Sequence, residues 1–241
     1  QIHKQNKTNP PNDLQKIFAY FLILLALFIS SYRFIERTSL FSDLLTCVVL
    51  FTCLREREQK PRWMWMLPLI FALWINLHPG FPLGIFLVGF FWLFDGTLSS
   101  WNSWKQKIRS PKLLIVVLSV SALFMNPEGL HGIVYPFLFS AKQGQIYRQY
   151  YFEWLPAFSS VYRGTPEMLG FFLLTLISLI VFFLKYRDKS GKDARLLLIL
   201  FFIAVGMSAV RFLNVASFAL VILCLDFENI FAGRYQIRWA A

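Results

Sequence analysis

The chain has 241 residues, 57% of them hydrophobic, 18% aromatic and only 15% charged. Soluble domains carry about 25% charged residues, so this composition excludes an ordinary soluble enzyme, a disordered chain and a nucleic-acid-binding domain. The net charge of +11 arises from 24 Lys and Arg against 13 Asp and Glu, and these charges cluster between apolar runs, as the loops of a membrane protein do.

The runs predict helices in chain order, in an all-α, polytopic transmembrane bundle of about eight spans, some short or broken. Residues 1–16 form a polar N-terminal segment, with Asn12 and Asp13 as caps behind Pro10 and Pro11. Spans follow over 17–31 and 38–54, the second containing Asp43, which is expected to pair with a neighbouring helix. Trp63 and Trp65 open a third span as an interfacial aromatic belt. It stops at His78-Pro-Gly-Phe-Pro82, where two prolines and a glycine prevent continuous helix. A fourth span covers 81–94, and Trp101 and Trp104 suggest an amphipathic stretch after it. A fifth covers 111–125 and ends at Asn126-Pro-Glu-Gly129. A long aromatic connection then leads to a sixth span over 168–184. The last apolar stretch, 196–225, is too long for one ordinary span. Gly206, Arg211 and Asn214 divide it into two short helices around a polar turn, one steeply tilted helix being the alternative. The transmembrane domain therefore extends over 17–225, with 226–241 as a tail.

With both termini cytoplasmic, the positive-inside bias fits eight crossings. Of the 24 Lys and Arg, only Arg33, Arg37, Lys142, Arg148, Arg163 and Arg211 fall in outer segments. Cys47, Cys53 and Cys224 lie within apolar runs and read as small buried hydrophobes rather than a disulfide or zinc set.

The same alternation gathers the unusual polar residues at the outer face: Asn76, His78, Asn126, Glu128, His131, Glu153, Trp154 and Arg211. Ionisable groups at membrane depth are costly and mark cavities or pathways. Arg211 interrupts an apolar run and requires a partner: Glu128, Glu153 or an anionic ligand, its planar fork being suited to phosphate. Capping a short helix and snorkelling to lipid headgroups is its other role. His78 and His131 fit either a ligand-binding or an interfacial hydrogen-bonding role, and their surroundings lack metal-ligand spacing. Glu153 and Glu128 are the candidate catalytic carboxylates, each equally able to neutralise a nearby Arg. No cofactor or metal is implied by the residue pattern.

Several of these stretches resemble a known group. Ala72-Leu-Trp-Ile-Asn-Leu-His-Pro-Gly-Phe-Pro-Leu-Gly84 resembles the W-x-N-x-H-G-G-F-x-x-G segment of large bacterial multi-pass membrane proteins grouped with GT-C type glycosyltransferases, near the dolichyl-phosphate-mannose and aminoarabinose-transferase-like enzymes. Arg37-Thr-Ser-Leu-Phe-Ser42 is similar to their R-P-x-L-F-S. Asn126-Pro-Glu-Gly129 with Tyr135-Pro136 is similar to N-P-Y-G…Y-P, and Glu153-Trp-Leu-Pro156 to E-W-x-P. Val210-Arg-Phe212 with Phe218 resembles a late R-x-x-R-x-x-P-x-F turn. The resemblance covers about 33–225, with departures at Pro79, Glu128 and Asn214, where the pattern has Gly, an aromatic and often Pro.

The resemblance implies a bacterial inner-membrane protein that transfers a sugar from a polyprenyl-phosphate donor at the outer face. Membrane lipid and the lipid-linked sugar are its expected partners, and nucleic acid is not one. Arg211, His78, Asn76, Trp154, Asn126 and His131 become substrate-binding candidates. The acidic residue such enzymes use belongs to a first outer loop ahead of the matched region, which implies that this chain corresponds to a C-terminal portion. A transporter or lipid flippase and a non-catalytic membrane scaffold are the rival classes.

Overall fold

Proline and the backbone geometry around it decide where the helices begin and stop. The computed structural model describes residues 13–33, 38–55, 62–94, 107–186 and 194–226, all of them helix, turn or loop. Helix α1 (Asp13–Ser30) starts with Asp13 paired to Lys16 at 3.0 Å and runs into a 3-10 turn, Ser31–Arg33. Helix α2 is Ser39–Arg55. A 3-10 turn, Trp63–Met66, leads into α3 (Leu67–Leu77), with Pro68 in its first turn, where no N–H is needed. Pro79 disfavours helical geometry at the preceding residue. His78 is accordingly extended, at φ −163° and ψ 142°, and α3 ends there. Helix α4 (Phe81–Phe94) begins at once, and α5 (Pro111–Ala122) again opens on proline.

The connection after α5 is more ordered than its sequence indicated. It contains α6 (Gly129–Lys142), α7 (Gly144–Tyr150) and a 3-10 turn, Phe152–Trp154. No residue of α6 is buried, and Pro136 lies within it. With neither a buried stripe nor an uninterrupted run, α6 lacks the periodic signal by which helices are recognised. Helix α8 (Pro166–Tyr186) follows. Next come α9 (Arg195–Ser208), a 3-10 turn (Val210–Phe212) and α10 (Leu213–Asp226). The last apolar stretch is thus two helices, broken where Ala209 is extended at φ −161°. The amphipathic stretch expected at Trp101 and Trp104, the residues 1–12 and the tail beyond Asp226 lie outside the described residues.

Helix α10 is the centre of the bundle and packs on α1, α2, α8 and α9. Ten of its residues are buried, from Leu213 to Cys224, and they lie on every side of the helix. Helix α2 joins this group to a second one, in which α4 packs on α2 and α5 packs on α3 and α4. Hydrogen bonds show which helix ends lie together. At one end Tyr32 Oη donates to the Val210 carbonyl, Ser42 meets His78, and Asn76 Nδ2 donates to the Met125 carbonyl. At the other end Arg195 pairs with Asp226, and Lys107 donates to the Leu93 carbonyl.

Among the described residues, two helices are long and apolar enough to cross a membrane, Asp13–Ser30 and Pro166–Leu184. Four shorter apolar helices have the bounds Trp63–Leu77, Phe81–Phe94, Pro111–Ala122 and Arg195–Ser208. Prolines and the Ala209 break hold these below the ~20 residues of an ordinary span. Large apolar side chains also cover much of the outside. Leu24 is 64% exposed, Leu69 71% and Leu176 55%, among many others.

Packing is close where α8, α9 and α10 meet. A Cβ added at Gly206 would stand 2.4 Å from Phe171 Cζ and 3.0 Å from Ala216 Cβ. Phe171 is fully buried, and its ring has no room to yield. Gly206→Ala is therefore expected to destabilise the fold by about 1–3 kcal/mol through overpacking, seen as a lower midpoint in thermal unfolding.

Candidate functional site

The end of the bundle that contains Tyr32 and Val210 also holds most of the residues singled out by sequence. A cleft of about 540 Å³ lies between the α3–α4 turn and the start of α6. Asn76, His78, Asn126, Glu128 and His131 line it, together with Tyr135. Five residues from two segments fifty positions apart thus meet in one concavity. Glu153, Trp154 and Arg211 do not line the cleft; Trp154 and Arg211 form an adjoining cluster, and Glu153 precedes Trp154 in the same 3-10 turn.

The α3–α4 side of the cleft is built around Ser42. Its Oγ lies 2.7 Å from His78 Nδ1 and 2.8 Å from Trp74 Nε1. An indole N–H only donates, so Ser42 accepts from Trp74, and its own hydroxyl hydrogen is available to Nδ1. That contact orients the His78 ring, and with the serine hydroxyl donating to Nδ1 the neutral ring carries its proton on Nε2. Gly80 permits it, because a Cβ there would lie 2.2 Å from Ser42 Oγ. Thr46 Oγ1 donates to the Ser42 carbonyl at 2.7 Å, which secures the first turns of α2. Neither Ser42 nor Trp74 was a candidate by charge or rarity. The available signal was position: Ser42 closes the Arg37–Ser42 stretch and Trp74 opens the W-x-N-x-H pattern. Arg37 itself lies outside the described residues.

The two asparagines build the cleft wall. Asn76 Nδ2 donates to the carbonyls of Ala72 at 2.7 Å and Met125 at 2.9 Å, clamping the end of α3 to the end of α5. Asn126 Nδ2 donates to Leu123 at 2.6 Å and Gly129 at 3.2 Å, closing the turn before α6. Their donors are thus engaged by backbone, and the amide oxygens are the groups they can offer a ligand. Glu128 and His131 sit one helical turn apart, with Oε2 and Nδ1 separated by 3.7 Å, both well exposed.

In the adjoining cluster the Arg211 guanidinium lies over the Trp154 ring, 4.0 Å from its centroid, and 5.5 Å from that of Phe212. A cation on an indole face is held by the ring quadrupole. Trp154 also meets Tyr147 and Phe139, at centroid distances of 5.6 and 5.9 Å. Phe139 in turn meets Tyr135 at 5.8 Å. Tyr135 and Phe139 are four residues apart on α6, so one helix face connects the cleft to the arginine. The backbone beneath is stitched as well, by Val210 N–H to the Leu155 carbonyl at 3.0 Å and Ala157 N–H to Met207 at 3.1 Å.

Among the described residues no three His, Cys, Asp or Glu side chains gather as a metal site. Cys53 and Cys224 are buried and Cys47 is half-buried, all three as free thiols. Asp43 lies away from the cleft, on a groove between α1, α2 and α10. No family model, curated protein or solved structure matches the chain.

Ser42→Ala is expected to leave the fully buried Trp74 N–H without its acceptor and to cost about 1–3 kcal/mol. Trp74→Phe in the same background should recover part of that loss. A double-mutant cycle on denaturation midpoints measures the coupling.

Proposed function

We propose that this chain is the C-terminal part of an integral membrane glycosyltransferase-like protein that transfers a sugar from a polyprenyl-phosphate donor at the outer face. The observation that carries the reading is the convergence of the cleft and the Arg211–Trp154 cluster at one end of an apolar bundle. Residues of the family-like stretches pair across the chain, 42 with 74 and 78, and 154 with 211, while Asn76 bonds the carbonyl of Met125, just ahead of the Asn126 stretch. Pieces that are separate in sequence thus form one constellation, which supports the resemblance to GT-C type enzymes.

The exposed Leu, Phe and Val side chains around the helices support a lipid environment, since water would select polar outer faces. In a bacterial inner membrane the Arg211 end faces outward, and both chain ends lie on the cytoplasmic side. The shorter helices α2, α3, α4, α5, α9 and α10 complete about eight crossings as spans that are short, tilted or met by thinned lipid.

In this reading Arg211 binds the lipid phosphate and stabilises charge on the leaving group through its fork of N–H donors. Trp154 seats the guanidinium on one ring face, and stacking on a donor or acceptor sugar ring would use the other. His78, oriented by Ser42, presents Nε2–H to a sugar hydroxyl in the cleft, and Asn76 and Asn126 offer amide oxygens. Glu128 or Glu153 accepts a hydrogen bond from a hydroxyl and orients it. Tyr135 is placed to stack on a sugar ring. The resemblance assigns the acid–base residue to a loop preceding the matched region, so neither glutamate is given that role.

Transfer of radiolabelled sugar from a polyprenyl-phosphate donor to membrane acceptors tests the assignment. Arg211→Ala is expected to lower transfer on the order of a hundredfold, with Arg211→Lys intermediate. Equal transfer by wild type and Arg211→Ala removes Arg211 from the mechanism. Topology is checked separately with single cysteines at Ser160 and Arg109 in a cysteine-free background. An impermeant maleimide should label the first from the periplasm and the second only in inverted vesicles. Labelling of both from one side contradicts the crossing scheme.

A further inference from the structure

Helix α6 turns its apolar stripe away from the bundle. Leu130, Val134, Phe137, Leu138 and Ala141 recur at helical spacing along one face. Leu130 is 63% and Phe137 59% exposed, Leu138 and Ala141 are exposed with them, and Val134 is half-buried. The opposite face is directed inward: Gly132 and Tyr135 line the cleft, and Phe139 meets Trp154. The helix leading into α6 indicates what covers the stripe. Helix α5 has 12 residues and rises about 18 Å, against ~30 Å of hydrocarbon in a bilayer. A chain that enters the membrane at Pro111 is therefore still at lipid depth when α5 ends, and the turn that follows exposes Phe124 and Met125. Charge adds a second indication. Residues 129–152 contain Lys142 and Arg148 and no Asp or Glu. Both cations are exposed, near the exposed Ile146 and Tyr150 of α7 in sequence.

We infer that α6 lies in the plane of the outer leaflet, its stripe sunk into the acyl chains and Lys142 and Arg148 set on anionic phospholipid headgroups. An interfacial amphipathic helix buries its apolar face about 5–10 Å into the headgroup–acyl boundary. Lys and Arg near it extend their stems over apolar surface and carry their charges to the phosphates, where anionic lipid attracts them. The inward face needs no lipid, because the bundle end already occupies it. Helix α6 is thus a partition, with acyl chains on one face and the cleft on the other. A ligand anchored by a lipid tail reaches the cleft at headgroup level, its tail remaining in the bilayer. The inference rests on the crossing scheme proposed above, not on the transferase chemistry, and its test reads immersion alone.

Nitroxides test this, attached one at a time to cysteines at Leu130, Val134, Phe137, Leu138 and Ala141 in a cysteine-free full chain in nanodiscs. Collision with oxygen, which concentrates in lipid, and with a water-soluble nickel chelate reports the surroundings and depth of each label. Ser160 serves as the water reference and the exposed Leu176 of α8 as the lipid reference. The stripe labels are expected to favour oxygen and to lie about 5–10 Å below the phosphates. Adding phosphatidylglycerol to phosphatidylcholine discs should deepen them, and Lys142→Glu combined with Arg148→Glu should abolish that difference. Nickel-dominated collision along the stripe, with Leu176 still lipid-like, would show a solvated face and overturn the inference while the crossing scheme stands. Little collision with either reagent would mean that protein, a second copy included, covers the stripe, and would overturn it as well. A water-like signal at Leu176 too would overturn the crossing scheme and this inference with it. Labels equally deep with and without phosphatidylglycerol would overturn the assignment of anionic headgroups.

Discussion

One serine hydroxyl, held between two ring nitrogens, determines how the cleft is assembled. Ser42 accepts from the buried Trp74 indole and meets His78 Nδ1, so α2, α3 and the α3–α4 turn are fixed relative to one another by a single oxygen. The partners belong to different kinds of backbone. Trp74 sits within regular helix, while His78 occupies the extended residue that Pro79 imposes. The ring is therefore oriented by a side chain rather than by helix continuation, and the glycine at position 80 lets α2 come close enough to do so. Without that approach the cleft would lose its histidine wall, and Asn76 would hold α5 to a helix end of different geometry.

Helix content and most helix limits were legible in the sequence because proline and glycine act locally. His78–Pro82, Pro111 and Asn126–Gly129 mark breaks whose geometry needs no tertiary information. The division of the last apolar stretch was legible for a similar reason, since Gly206, Arg211 and Asn214 are poor company for an uninterrupted apolar helix. Helix α6 was not, because Gly132 and Pro136 imitate a loop and no side chain of that helix is buried. Its contribution to the site, the Tyr135–Phe139 face joining cleft and arginine, depends on helical spacing that composition alone does not reveal.

The candidate site was partly legible. Rarity singled out the charged and amide side chains, and five of the eight indeed line one cleft. Rarity says nothing about Ser42 or Trp74, ordinary residues made consequential by whom they face. Nor does it separate binding groups from builders. Asn76 and Asn126 stood out as polar residues at helix ends, yet their donors are used to tie backbone segments together. Arg211 stood out as a charge in need of a carboxylate or phosphate, and the structure adds an aromatic face beneath it. Asn214 was noticed only as a helix breaker. Its buried amide becomes visible once α1 and α2 are seen to pack on α10.

The break at Ala209 has a mechanical meaning. The turn it creates is sewn to the 155–157 segment by two backbone bonds, and to the end of α1 through Tyr32. Arg211 thus rides on a rigid mount rather than on a swinging arm, with its guanidinium parked on an indole that belongs to the same mount. A molecule approaching that charge encounters it ready-set, at little reorganisation cost. In the proposed transferase, discrimination between donors then falls to their dimensions and shape at the neighbouring cleft, not to any closing movement of the arginine.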